Sequence, residues 1–290
     1  MRLPRFEYLQ PRTLEEACFF LAEHAGQAKV MAGGTDLLVE LKKRRAARPQ
    51  YVVGLRSIPD LDTVRFEAGV GLRVGSMATF AKLVRAAVVR EKFPMLYEAA
   101  RIFSRPQVRH GGTLVGNLCN ASPGADGVPP LLALQAKARV VSVRGDRLVE
   151  AEQFCVGPFQ TVLDPTEIVA ELIIPEPPPH SGWSYQRATK RTAEDEALAV
   201  VAVFLGFGDG NRSVSQGRIA LASVAPTPMR ARRAEALIQG KHLEEDLAKE
   251  AGNLAASEVN PRSRADYRRL MTAYLVRKSL LEAGSTPPCP

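Results

Sequence analysis

Cysteine is scarce and scattered: Cys18, Cys119, Cys155 and Cys289 form no C-x-x-C pair and have no histidine beside them in the chain. Zinc and iron–sulfur centres need clustered soft ligands, so no metal centre is expected on this chain. The histidines, His24, His110, His180 and His242, are as dispersed, which leaves neither an H-E-x-x-H site nor a visible Cys–His pair and weakens hydrolase readings. Long apolar runs are also missing. The longest, Ala197 to Phe207, has eleven residues, against about 20 for a bilayer helix. The start, MRLPRFEYL, lacks the apolar stretch of a secretory signal, so a cytoplasmic protein is expected.

What is present is ordinary for a folded chain. With 290 residues, 46% hydrophobic and 24% charged, there is length for two domains, or for one with a substantial appendage. A formal charge of +8 suits nucleic acid, acidic partners or a phosphorylated ligand, and the sign alone does not choose. The densest basic stretch, Lys42-Lys43-Arg44-Arg45 with Arg48, falls at a helix end, where cations complement the dipole. No aromatic residues are interleaved with it for base stacking, so a solvated face or partner contact is the better reading.

Along the chain, a strand around Phe6 to Tyr8 leads to a helix capped by Thr13, with Glu16 at capping-box spacing, ending near His24. Then come a strand at Ala28 to Met31, a helix at Leu37 to Ala46 and a strand at Tyr51 to Leu55. From Asp62 the pattern alternates as in strands, with turns at Gly69 and Gly71. Helices near Ala78 to Arg90 and Met95 to Phe103 lead into a glycine-rich stretch, Gly111 to Gly127. After Pro129-Pro130 comes an apolar helix or turn, then strands at Lys137 to Val143 and Glu167 to Ile174. The run Pro175-Glu176-Pro177-Pro178-Pro179 is the clearest linker, because consecutive prolines neither donate to a ladder nor continue a helix. Strands at Trp183 to Thr189, Ala197 to Phe207 and Gly217 to Ser223 follow, with a turn at Gly208 to Asn211. Helices from about Arg230 to Ala283 close the chain.

Two glycine clusters stand out, Gly33-Gly34 before Thr35-Asp36 and Gly111-Gly112 before Thr113. Glycine lets backbone N–H groups turn outward and approach a pyrophosphate, while Thr and Asn side chains add polar contacts. Two such loops could clamp one dinucleotide; either alone could be a plain strand-to-helix turn. Neither fits the Rossmann or Walker pattern.

Taken together, VMAGGTDLLVELKKR (30–44) and VRHGGTLVGNLCNASPGADGVPPLLALQAKARV (108–140) resemble the FAD-binding medium subunit of the molybdenum hydroxylases, the xanthine dehydrogenase and carbon monoxide dehydrogenase family. The likeness extends through residues 157–178, YQRATKR (185–191), 218–240 and 264–280. It implies an α+β chain. A two-part FAD-binding domain of the vanillyl-alcohol-oxidase/PCMH type would span residues 1–56 and 57–176. Residues 177–290 would form a C-terminal domain with a small antiparallel sheet and helices. Carried over by position, Val30, Met31, Ala32, Gly33, Gly34, Thr35, Asp36 and Leu37 would line the FAD diphosphate and part of the ring. Thr113, Leu114, Val115, Gly116 and Asn117 would form the second clamp, and Asp126 would accept hydrogen bonds from FAD hydroxyls. Phe103 and Val169 fall near the cofactor. So does one position at the start of the third domain, where the choice among Gln186, Arg187 and Lys190 stays open, with Arg187 the candidate.

Several of these have a plainer alternative: Asp126 capping the Pro129-Pro130 turn, Phe103 as core, Asn117 serving only loop bonds. Where relatives carry Gly-Gly-Asn this chain has Val115-Gly116-Asn117. A branched residue resists positive φ, so Val115 is expected to be extended and to offer a backbone N–H. Thr35-Asp36, in place of the His-Ser of carbon monoxide dehydrogenases, favours an N-heterocycle or aldehyde hydroxylase. The benzoyl-CoA-reductase branch has a cysteine-bearing insertion, and none is visible here. The resemblance thus implies an electron-transfer flavoprotein with non-covalent FAD. Molybdopterin and [2Fe–2S] clusters would lie on separate large and small subunits, in a dimer of heterotrimers, with NAD⁺, a quinone or O₂ as acceptor. The alternative is a stand-alone flavin oxidase.

Overall fold

A computed structural model describes residues 2–43, 48–191, 196–208 and 211–285. The first unit is a parallel three-stranded sheet. Strand β1 (Glu7–Leu9), helix α1 (Leu14–Glu23), β2 (Ala28–Met31), α2 (Leu37–Lys43) and β3 (Tyr51–Gly54) follow in order, with β3 central in the sheet. The start of α1 is fixed locally: Thr13 Oγ1 accepts the Glu16 N–H at 3.1 Å, and the Glu16 carboxylate accepts the Arg12 N–H at 2.7 Å. Helix α2 is described to Lys43; Arg44, Arg45 and the expected helix end at Ala46 lie outside the described residues, as does Cys289.

The second unit is an antiparallel sheet of five strands with helices packed on it. Its elements are β4 (Val64–Glu67), β5 (Gly71–Gly75), α3 (Phe80–Arg85), α4 (Ala87–Lys92), α5 (Pro94–Ile102), α6 (Pro106–Gly111), α7 (Leu114–Cys119), α8 (Val128–Ala133), β6 (Lys137–Ser142), β7 (Gly145–Glu150), α9 (Ala151–Phe154), the hairpin β8 (Cys155–Gly157) with β9 (Gln160–Thr161), and β10 (Ile168–Ile174). The sheet order is β4-β5-β10-β6-β7. Two expectations are corrected here. The helix over Ala78 to Arg90 is two helices, broken at Ala86, whose ψ of 113° is extended. The buried positions Phe80, Leu83 and Val89 do not keep one helical stripe across the break. Val115 is helical rather than extended: the extended residue is Thr113, which caps α7.

The third unit is the antiparallel sheet β11 (Ser181–Ala188), β12 (Ala199–Gly208), β13 (Asn211–Ala222) and β14 (Met229–Arg230), with helices α10 (Arg232–Ile238), α11 (Glu245–Glu258) and α12 (Ala265–Ser285). Strand β13 begins well before the expected Gly217, and Asp209 and Gly210 of the expected turn lie outside the described residues. The apolar run that is too short for a bilayer forms β12, which is buried on both faces. Ala199, Val201, Val203 and Leu205 join the core under the helices, while Val200, Ala202 and Phe204 join the core of the second unit. The linker Pro175 to Pro179 carries no regular structure, yet apolar packing continues across it. Among the described residues no helix is long and apolar enough to cross a membrane.

Candidate functional site

The two glycine loops meet backbone to backbone. The first runs from the end of β2 to the start of α2, and the second from α6 to α7. A Cβ on Gly33 would overlap the Gly111 carbonyl, so only glycine fits that approach. Gly34 holds φ +71°, the left-handed region that favours glycine. Thr35 completes the junction, with its methyl over Gly111 and its hydroxyl over Gly112. Val30, Met31 and Leu37 are half-buried at the ends of the flanking elements, and Ala32 is half-buried in the loop. Gly33 and Asp36 are exposed, so the loop presents an open backbone surface.

The second loop is held from behind by the segment before α3. Thr79 and Thr113 form an isolated bridge, and the Phe80 N–H donates to the Gly112 carbonyl at 3.0 Å. Thr113 Oγ1 accepts the Gly116 N–H at 2.9 Å, leaving the Val115 N–H in the first helical turn without an intrahelical acceptor. Leu114 and Val115 bury their side chains in the main core. Asn117 Oδ1 accepts the Gly127 N–H at 3.0 Å, the loop bond anticipated as its plainer role. Phe103, at the end of α5, stacks on Phe80 with ring centroids 3.8 Å apart and also lies against Gly112.

Asp126 is the most informative residue. Its Oδ2 lies 3.0 Å from Arg187 Nη2, with side-chain exposures of 11% and 6%, and the Tyr185 hydroxyl donates to its backbone carbonyl at 2.9 Å. Its Oδ1 is buried and, among the described residues, has no partner. Helix α8 is capped by Gly127 without a side-chain bond, so the turn-capping alternative for Asp126 does not hold. Burial pushes the Asp126 carboxyl up to about 6, with Arg187 opposing the rise and Glu196 adding to it. A buried carboxylate oxygen with no donor is costly unless a ligand supplies one.

Strand register decides where the three candidates at the start of the third unit go. Tyr185 and Arg187 pair opposite Ala202 and Val200, on the face toward the second unit. Gln186 faces the helices, where its Nε2 donates to Glu282 at 2.6 Å, and Lys190 is exposed beyond the strand. Arg187 Nη1 also donates to the Ile102 carbonyl at 3.2 Å, beside Phe103. Val169 is a buried core residue of β10, opposite Val140 within the sheet. Sequence reasoning missed Phe80, Thr79 and Tyr185; only the period-2 spacing of Tyr185 and Arg187 hints at a shared face. Burial pushes the Cys119 thiol up to about 12 and the Cys155 thiol to about 11, so both stay protonated and weakly reactive. Among the described residues no group of three or more His, Cys, Asp or Glu could hold a metal ion.

The chain thus brings together two glycine loops in backbone contact and a buried acid, Asp126, whose Oδ1 has no partner among the described residues. A family model described as the FAD binding domain in molybdopterin dehydrogenase matches residues 4–177, and the CO dehydrogenase flavoprotein C-terminal domain matches 183–283. The nicotine 6-hydroxylase medium subunit of Paenarthrobacter nicotinovorans is 34% identical, covering 98% of this chain and 99% of that one. The xanthine dehydrogenase FAD-binding subunit of Escherichia coli O157:H7 is 32% identical, with 95% of each chain covered. The solved carbon monoxide dehydrogenase of Hydrogenophaga pseudoflava superimposes with a TM-score of 0.92 at 33% identity, covering 98% of each chain. This chain belongs to the family of FAD-binding medium subunits of the molybdenum hydroxylases. It is an α+β flavoprotein component of an oxidoreductase complex.

Proposed function

We propose that this chain is the flavin station of a molybdenum-containing hydroxylase, taking electrons from [2Fe–2S] clusters on a small subunit and passing them to NAD⁺, a quinone or O₂. The observation that carries it is the orphan Oδ1 of Asp126, beside a glycine junction that tolerates no side chain. In this reading residues 1–56 and 57–176 are the two halves of the FAD-binding domain, and 177–290 close the site with Arg187. Bound FAD supplies the ability to accept electrons singly and release them as a pair. The chain's residues bind and orient it. Backbone N–H groups of the 30–37 loop and of the first turn of α7 would donate to its phosphates, and Asp126 Oδ1 would accept from one of its hydroxyls. Arg187 holds that carboxylate in place. Phe103, Asn117 and Val169 belong to the surroundings of the same site.

Molybdopterin would sit on a large subunit, the whole forming a dimer of heterotrimers in the cytoplasm. Thr35-Asp36 supports an N-heterocycle or aldehyde hydroxylase over a carbon monoxide enzyme. The test is the direction of reduction. The isolated, FAD-loaded chain should not be reduced by purines, nicotine or aldehydes. Adding the molybdenum and iron–sulfur subunits should make its flavin reducible by the organic substrate. Rapid bleaching by such a substrate with this chain alone would reject the proposal in favour of a stand-alone oxidase.

A further inference from the structure

A cavity of about 530 Å³ lies beside the clamp, between Val64 of β4, the α3 residues Lys82 and Arg85 with Ala86 after them, and His110 of α6. That volume falls in the usual range for small-ligand sites, about 300–1,000 Å³. Its ionisable lining consists of Lys82, Arg85 and His110, with no carboxylate among the lining residues. Lys82 is tied to Asp62 at 2.6 Å. Among the described residues no carboxylate pairs with Arg85 or His110. Asp62 compensates Lys82, which leaves the Arg85 guanidinium facing the cavity without a carboxylate partner among the described residues, and an uncompensated cation in a concave surface concentrates counter-ions. The rest of the lining, Val64, Thr79, Ala81 and Ala86, is mostly small or aliphatic, which leaves an apolar floor beside Arg85 and His110.

We propose that this cavity binds a phosphorylated ligand of nucleotide size, distinct from the flavin, with its phosphates on Arg85 and His110 and its base or sugar on the apolar floor. It goes beyond the flavin reading and rests on it only for the identity of the neighbouring site. Guanidinium binds phosphate oxygens through paired N–H donors, which an ammonium cannot match. The cavity is joined to the clamp through its walls: Thr79, also in the lining, bridges Thr113, and His110 directly precedes Gly111. The ligand chemistry has two sources, a free nucleotide or the nucleotide end of a soluble dinucleotide.

The experiment is calorimetric titration of ADP into the chain saturated with FAD, in wild type and Arg85→Ala. Binding of one ADP per chain is expected, weakened by salt, with about a tenfold higher Kd in Arg85→Ala, as for loss of one charged contact. Flavin content, read from visible absorbance, should be unchanged in that variant. Displacement of ADP by NADH would assign the site to a dinucleotide; bound ADP unaffected by NADH would assign it to a free nucleotide. Absence of ADP binding, equal binding by Arg85→Ala, or ADP binding to the apoprotein that is lost once FAD is bound would overturn the proposal. So would a loss of flavin together with ADP in Arg85→Ala, which would merge the cavity with the cofactor site. A wild-type protein that takes up no FAD, yet binds ADP in an Arg85-dependent way, would count against the flavin reading and leave the nucleotide site standing.

Discussion

Replacing Asp126 by asparagine keeps its shape while removing its charge, and it separates a cofactor contact from a structural one. Asp126 Oδ1 is buried without a partner, and Oδ2 is 3.0 Å from Arg187 Nη2. If a cofactor hydroxyl donates to Oδ1, the bond is charge-assisted and worth about 1.5–3 kcal/mol, so Asp126→Asn should weaken FAD roughly 10- to 100-fold. The pH dependence carries more information. Without ligand the carboxyl is pushed up from 3.8 to about 6, so between those values the folded chain holds a proton there that the unfolded chain has lost. This contribution therefore favours the folded apoprotein at low pH and is lost as pH rises from about 4 through 6. A hydroxyl donor favours the charged form, so FAD binding releases that proton, and affinity should rise over the same window and level off above it. Fluorescence titration of the apoprotein with FAD, from mildly acidic to neutral pH, measures both effects. Equal FAD affinity and the same pH slope in wild type and Asp126→Asn would refute the assignment. Asp126→Ala is the poorer probe, because it also removes the partner of a buried guanidinium, a loss of about 3–5 kcal/mol in comparable pairs.

Gly33→Ala places a methyl group inside the Gly111 carbonyl, so the loops must part; flavin occupancy should fall sharply while the far-UV circular dichroism is kept, and normal occupancy would count against the junction as the clamp. Tyr185→Phe removes the donor to the Asp126 carbonyl and should cost about 0.5–1.5 kcal/mol, visible as a lower Tm; an unchanged Tm would show that the bond adds nothing. Acid precipitation should leave the yellow colour in the supernatant, since the glycine loops bind without a covalent link. Flavin retained in the pellet would point to attachment, with His110 the first suspect.

Much of the FAD-binding half is legible in the sequence because its signals are local. Thr13 and Glu16 mark the start of α1 through bonds within one turn, and β2 spans Ala28 to Met31 as expected. The break at Ala86 is not legible: neither glycine nor proline marks it. Val115 is instructive. The expectation of an extended Val115 rests on a valine avoiding positive φ, but the position lies in a helix, where valine meets no such conflict. The choice among Gln186, Arg187 and Lys190 is out of reach of the sequence because the residue that claims Gln186, Glu282, is 96 positions away. Asp126 is reached by resemblance; its burial beside Arg187, with Oδ1 left without a partner among the described residues, is not legible in the sequence.

The position of Arg187 follows from register, and register brings the C-terminal sheet to the proposed site. Residues directly opposite on paired antiparallel strands share a face, so Arg187 and Tyr185 go where Val200 and Ala202 go, toward the second unit. A slip of one residue in β11 would send Gln186 to Asp126 and drive the Arg187 charge under the helices. Strand β12 cannot prevent that slip by itself, because it is apolar on both faces and either face would accept it. The polar groups of β11 do. Ser184 Oγ and Gln186 Nε2 both donate to Glu282 at 2.7 and 2.6 Å on the helix side, while the Tyr185 hydroxyl and Arg187 reach Asp126 on the other. Each set is left unsatisfied by the slipped pairing, and a buried unsatisfied polar group costs about 1–3 kcal/mol. The bonds that pin β11 are therefore the same ones that deliver Arg187 to the acid proposed to hold the cofactor. In that reading the third unit, reached across a proline linker, is needed to complete a site whose loops lie in the first two.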